Sequence, residues 1–204
     1  MPTNRDTLSL PILPWTEVLF PGMRLNLTVD GPLGQAMIAE ASLRDTGVVV
    51  CLARSTPGTD AAWPEPLSIG TVARVLDYPQ NTSPQSVVVV GISRVSLLSF
   101  RLVHETLVGQ FRFMPDSEDT IPNPLVDEAQ ALGSEMWSIM RSESTHPLLP
   151  QTPEALSYWI AAHIPIPTAT RQELLEIRST RGRLAKEITL LRTMMDGLRT
   201  EHSS

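Results

Sequence analysis

From Thr7 to about Met114 the apolar residues recur at every second position or in short blocks cut by turn residues, the rhythm of β-strands. Leu25, Leu27 and Val29 alternate with Arg24, Asn26 and Thr28; later come Ile69 to Leu76, Val87 to Val90, Val95 to Phe100 and Leu107 to Phe113. The stretch Pro79 to Pro84 reads as the turn between two antiparallel strands. Two segments break the rhythm. After Gly31 and Pro32, the residues Leu33, Ala36, Met37, Ile38, Ala39 and Leu43 fall at helical spacing and predict one helix. Ala53 to Pro66 holds three prolines and no apolar period, so it is expected to be a loop. The front of the chain therefore reads as a mostly antiparallel sheet with a single helix.

Residues 114–124, "MPDSEDTIPNP", combine acidic residues with proline and carry no period, as a junction does. Beyond it the spacing becomes helical. Asn123 can cap a helix with Pro124 at its first position, and Val126, Ala129, Leu132, Met136, Ile139 and Met140 make one apolar face. Thr152 and Pro153 open a second helix, and a capping box from Thr170 to Glu173 opens a third. Leu184, Ile188, Leu191, Met195 and Leu198 then alternate by four and three. That seam permits a dimeric coiled coil or packing within the chain, and under three heptads favours the latter. The expected class is α+β: a β-rich domain over residues 1–115 and a helical bundle over residues 116–204.

A chain of 204 residues can bury enough apolar surface to fold without disulfide or metal. Its only cysteine, Cys51, lies inside the apolar run Val48 to Leu52 and reads as a small buried hydrophobe. No secretion signal and no stretch near the ~20 apolar residues of a membrane span is present, which places the protein in the cytoplasm as an expectation. The net charge of −6 and the lack of clustered basic residues in the β half argue against nucleic acid as partner. Arginine supplies fifteen of the sixteen basic residues, and Lys186 alone cannot serve a phosphate-cradling Gly-Lys-Ser/Thr loop. His104, His146, His163 and His202 are scattered without the spacing of a metal site. No serine sits in a Gly-x-Ser-x-Gly elbow, and Asp116, Glu118 and Asp119 occupy the exposed junction. Neither catalytic residues, nor a cofactor, nor a metal is expected.

Three segments carry a resemblance. "LPILPWTEVLFPG" opens with Leu10, Pro11 and Pro14 and reaches Val18, Leu19, Phe20, Pro21 and Gly22; Ile69 to Phe100 gives Ile-Gly-Thr-x-Ala and then Gly-x-x-Arg-Val; "QELLEIRSTRGRLAKEITLL" closes the chain with a short break between two helices. In this order they resemble the Lon N-terminal domain, the substrate-binding region that precedes the ATPase in Lon proteases. "DGPLG" at Asp30 to Gly34 departs from the charged helix start common in that family. The chain ends at Ser204, where Lon continues to its ATPase and peptidase, and so resembles a stand-alone copy of the recognition part. The prolines of the opening suit an edge strand or its ends, and Pro21-Gly22 suits a tight turn.

The resemblance implies a non-enzymatic module that binds polypeptide segments or partner proteins, built on a PUA-like β subdomain beside helices, with an adaptor role in protein quality control. Contact candidates are Trp63, which no apolar period buries, and Trp15, which could equally cover a core. An edge strand could also take an extended peptide by main-chain pairing. A PUA-like RNA-binding module is the alternative, and an orphan hydrolase a third.

Overall fold

The structure, a computed structural model, describes residues 7–29, 31–44, 46–54, 63–77, 85–141 and 147–201. It divides into two compact units, Met1–Pro115 and Asp116–Ser204.

The first unit is a six-stranded mixed sheet: β1 (Thr7–Trp15), β2 (Arg24–Val29), β3 (Val48–Ala53), β4 (Pro66–Asp77), β5 (Gln85–Val103) and β6 (Thr106–Phe113), with helix α1 (Gly31–Arg44) between β2 and β3. The strand order is β2-β5-β4-β3-β1-β6, and β5 also pairs with β6, so the sheet curls closed. One strand does this because β5 is 19 residues long. Its first part pairs with β2 and its last part with β6. The pairings are antiparallel except β1 with β3, which run parallel because β2 and α1 form the crossover between them.

Both faces of the central strands are buried, which accounts for the unbroken run Val48–Leu52. Val48 and Val50 join Leu13, Leu27, Ile38 and Val89 in one cluster, while Val49 and Cys51 join Ile12, Val95 and Phe111 in another. The opening is not the sheet edge that its prolines suggested. β1 pairs with β6 over Thr7 to Pro11 and with β3 over Ile12 to Trp15. Because these ladders meet without overlapping, each half of β1 is unpaired on one side, and a proline nitrogen without a hydrogen is tolerated there. Val18, Leu19 and Phe20 are fully buried but belong to no strand.

The turn that follows shows why two of the resembling segments occur together. The Met23 amide donates to the Phe20 carbonyl (3.0 Å) with Gly22 at φ +79°, a turn open to glycine. This turn docks on Gly91: the Gly22 amide donates to the Gly91 carbonyl (2.9 Å) and the Gly91 amide to the Met23 carbonyl (3.0 Å). A Cβ on Gly91 would collide with the Phe20 carbonyl oxygen. Phe-Pro-Gly of the opening and the glycine of Gly-x-x-Arg-Val are two sides of one backbone contact.

The turn expected over Pro79 to Pro84 and residues 55–62 of the expected loop lie outside the described residues, although β4 and β5 pair antiparallel as their patterns required.

The second unit holds α2 (Asn123–Arg141), α3 (Pro153–His163), α4 (Thr168–Glu176) and α5 (Thr180–Glu201). Thr152 caps α3, its side chain accepting from the Ala155 amide at 3.3 Å. The capping box expected at Thr170 is corrected. Pro167 occupies the N-cap and Thr170 lies inside α4, because the fixed φ of proline starts the helix earlier. Leu184, Ile188, Leu191 and Met195 of α5 pack with Ala129 and Met136 of α2 and with Leu156 and Ile160 of α3. Ile139 and Met140, at the end of the apolar face of α2, are exposed.

Beside this seam runs a buried polar one. The Arg183 side chain is fully buried. It donates to Asp116 Oδ2 (2.8 Å), to the Ile177 carbonyl (2.9 Å) and to Ser157 Oγ (2.7 Å), and lies over the Tyr158 ring at 4.1 Å. Ser157 in turn donates to Glu187 Oε1 (2.9 Å), and Glu187 Oε2 is buried without a hydrogen-bond partner.

Candidate binding site

In the β unit, α1, β1 and the end of the β5–β6 hairpin line a cleft of about 550 Å³. Helix α1 brings Met37 and Glu40 to it, the start of β1 brings Ser9 and Pro11, the connection from β5 to β6 brings His104, and the start of β6 brings Thr106. Among the described residues that line it, none is lysine or arginine.

The connection is a two-residue turn, His104 and Glu105, closing the pair Val103 and Thr106. Both residues have positive φ, 45° and 67°, as a hairpin turn twisted with its strands demands. Asparagine and glycine adopt this backbone readily, while for other residues it costs roughly 1–2 kcal/mol each. Trp63 steadies the turn, its indole N–H donating to the Glu105 carbonyl at 2.8 Å.

Trp63 is thus half-buried, where the sequence offered no reason to bury it. The structure packs it against both β clusters, and its ring spans them while its N–H finds a carbonyl. Trp15, at the end of β1, is also half-buried and leans on the cluster beneath α1. The two indoles share that cluster, but only Trp63 reaches the turn beside the cleft. His104, without metal-site spacing to the other histidines, stands instead at this turn. A two-residue gap between apolar runs signals such a turn, yet His-Glu lacks the usual Asn-Gly signature.

The hairpin exposes apolar surface for a local reason. The β5–β6 register shifts between Leu97 and Ser99, so the inward face passes from Val95 and Leu97 to Phe100 and Leu102. Leu97 faces the buried Phe111, but Phe100 and Leu102, opposite Gly109 and Leu107, are 45% and 58% exposed. In the helical unit, the rings of Trp137, Trp159 and His163 cluster with centroids 4.6–5.3 Å apart, Trp159 stacked on His163 and Trp137 edge-on to it, Arg141 lies over Trp137, and the Trp159 carbonyl lies 2.7 Å from His163 Nδ1.

As for reactive groups, burial pushes the Cys51 thiol up to about 12, so it stays protonated and unreactive. Lys186 pairs with Glu173 Oε2 at 2.6 Å on the bundle surface. Among the described residues no group of three histidines, cysteines or carboxylates could hold a metal ion.

Comparison with known proteins extends over nearly all of this architecture. Residues 9–193 match the family model described as the ATP-dependent protease La (LON) substrate-binding domain. Relatives include Lon protease 2 of Herpetosiphon aurantiacus, 29% identical over 96% of this chain, and Lon protease of Xanthomonas oryzae, 28% identical over 94%. The chain spans about a quarter of their length, 25% and 23%. Among solved structures, a Lon N-terminal domain protein from Xanthomonas campestris matches with TM-score 0.68 at 20% identity, covering 89% of this chain and 98% of that one. The N-terminal domain of Lon protease from the Mycobacterium avium complex matches with TM-score 0.67 at 19% identity, covering 91% and 98%. The fold is that of the Lon N-terminal domain, and the chain belongs to the family of LON substrate-binding domains.

Proposed function

We propose that this protein binds exposed segments of other polypeptides and performs no chemistry on them, serving as an adaptor in protein quality control. The observation that carries the reading is the extent of the family match: the substrate-binding model accounts for residues 9–193, both units included. The exposed Phe100 and Leu102 and the half-buried Trp63 and Trp15 supply the apolar contact such segments need. β2, which ends the strand order, offers its outer edge for main-chain pairing. The inert thiol of Cys51 and the ion-paired Lys186 accord with binding alone.

Fluorescence anisotropy tests this with two probes of similar size, a permanently unfolded polypeptide and a single-stranded RNA, both at low salt. Saturable binding of the polypeptide in the micromolar range, reduced several-fold in Trp63→Ala, is the expected result. Tight, salt-sensitive binding of the RNA with none of the polypeptide would replace this reading with the nucleic-acid one.

A further inference from the structure

We propose that a second cleft, on the face of the β5–β6 hairpin that carries Arg101, is a subsite for a glutamate or aspartate side chain of the bound polypeptide, an assignment that rests on the polypeptide-binding reading. Ser99, Phe100, Arg101, Val108 and Gln110 line it around about 280 Å³. The register shift in β5 decides which side chains it receives. Val95 and Leu97 pack into the core. The shift between Leu97 and Ser99 turns the alternation over, so that Ser99 and Arg101 share the opposite face with Gln110 and Val108, their partners across the ladder. A guanidinium, an amide and a hydroxyl thereby meet on one exposed patch. In the helical unit Arg183 is committed to Asp116, Lys186 to Glu173 and Arg192 to Glu128. The side chains of Ser99, Arg101 and Gln110, by contrast, make no hydrogen bond or ion pair among the described residues.

A carboxylate is the complementary group. The guanidinium of Arg101 brings a fork of N–H donors and no acceptor, Gln110 brings an amide N–H₂, and the Ser99 hydroxyl turns to suit, so a planar anion is matched in charge and in shape. It is also the anion that an unmodified polypeptide carries. These donors stand on side chains of two paired strands, whereas the carboxylate at a chain's end is captured by a nest of backbone amides, so the occupant is a side chain. Phe100 and Leu102 flank Arg101 in the strand and are exposed, which gives apolar neighbours of the acid a surface to meet. The net charge of −6 repels acidic segments at long range. At 0.15 M salt that field is screened over about 8 Å, and the guanidinium in contact governs.

The test titrates two labelled unfolded peptides, C-terminally amidated and identical except that one carries a central glutamate and the other glutamine, against the full chain at 0.15 M salt. Two variants locate the site. Arg101→Gln removes the cation of the cleft, and Arg112→Gln removes an exposed arginine on the same face that is not part of the lining. Circular dichroism establishes that both variants fold. The wild type and Arg112→Gln should bind the glutamate peptide about fivefold more tightly than the glutamine peptide, and Arg101→Gln should bind the two alike. The glutamine peptide with a free C-terminus should bind as weakly as its amidated form. Equal affinity of the wild type for glutamate and glutamine overturns the subsite while leaving the polypeptide reading intact. A glutamate preference that survives in Arg101→Gln overturns it by placing the site elsewhere, and one that Arg112→Gln loses equally overturns it by making the preference a general attraction to positive charge. Tighter binding of the free C-terminus overturns the assignment to a side chain. Failure of every peptide to bind removes the polypeptide reading and the subsite with it.

Discussion

Glu187 sits at the end of the buried chain Asp116–Arg183–Ser157–Glu187, and its burial lifts the carboxyl well above the ordinary value of 4.5, with the Ser157 hydroxyl and Arg183 only partly opposing. The folded protein therefore keeps a proton that the unfolded chain releases above that value. The contribution of this group to stability is greatest below pH 4.5 and declines as pH rises toward the folded value. Glu187→Gln keeps the Ser157 contact and has nothing to titrate. Urea denaturation from pH 4 to pH 8 should show the variant gaining on the wild type as pH rises. A constant difference would mean that the carboxyl titrates alike in the folded and unfolded chain. Removing the charge at the centre of the chain has the opposite consequence. Arg183→Met removes the guanidinium held 2.8 Å from Asp116, whose side chain is 11% exposed, and should cost about 3–5 kcal/mol. Sequence periodicity did not show this network. Thr180, Arg183 and Glu187 follow the helical spacing of the apolar seam one position away, but charged residues read as the solvent side unless their partners are known. The partner Asp116 lies 67 residues away.

At the scale of elements, the β5–β6 hairpin and the Phe20–Met23 turn each make a prediction. Glu105→Gly relieves the positive φ while keeping the carbonyl that Trp63 binds, so it should stabilise the protein by about 1 kcal/mol in chemical denaturation. Trp63→Phe removes that hydrogen bond and should cost about 1 kcal/mol. Gly91→Ala forces a methyl group onto the Phe20 carbonyl and should cost about 3 kcal/mol, read as an equal loss in denaturation midpoint energy. These elements also divide what was legible from what was not. β2 and α5 are plain in the sequence because one face of each is buried and the period shows it. β1 is less plain, since its prolines suggest an edge and only the register reveals that its two ladders lie on opposite sides. The cleft was not legible at all. Ser9, Glu40 and His104 come from three elements far apart in the chain, and no spacing rule joins them. Trp63 illustrates the same point: lacking periodic neighbours, it is nevertheless packed by residues distant in sequence.

For the whole molecule, residues 1–115 and 116–204 have separate cores, and we expect each to fold as a domain when expressed alone. The central claim concerns what the intact chain does with another polypeptide, and native mass spectrometry reads binding and chemistry together. The intact chain mixed with a permanently unfolded polypeptide at tens of micromolar should give a species at the sum of the two masses, with the polypeptide at its full mass after prolonged incubation. Separate masses only, or a polypeptide reduced to fragments, would contradict the account.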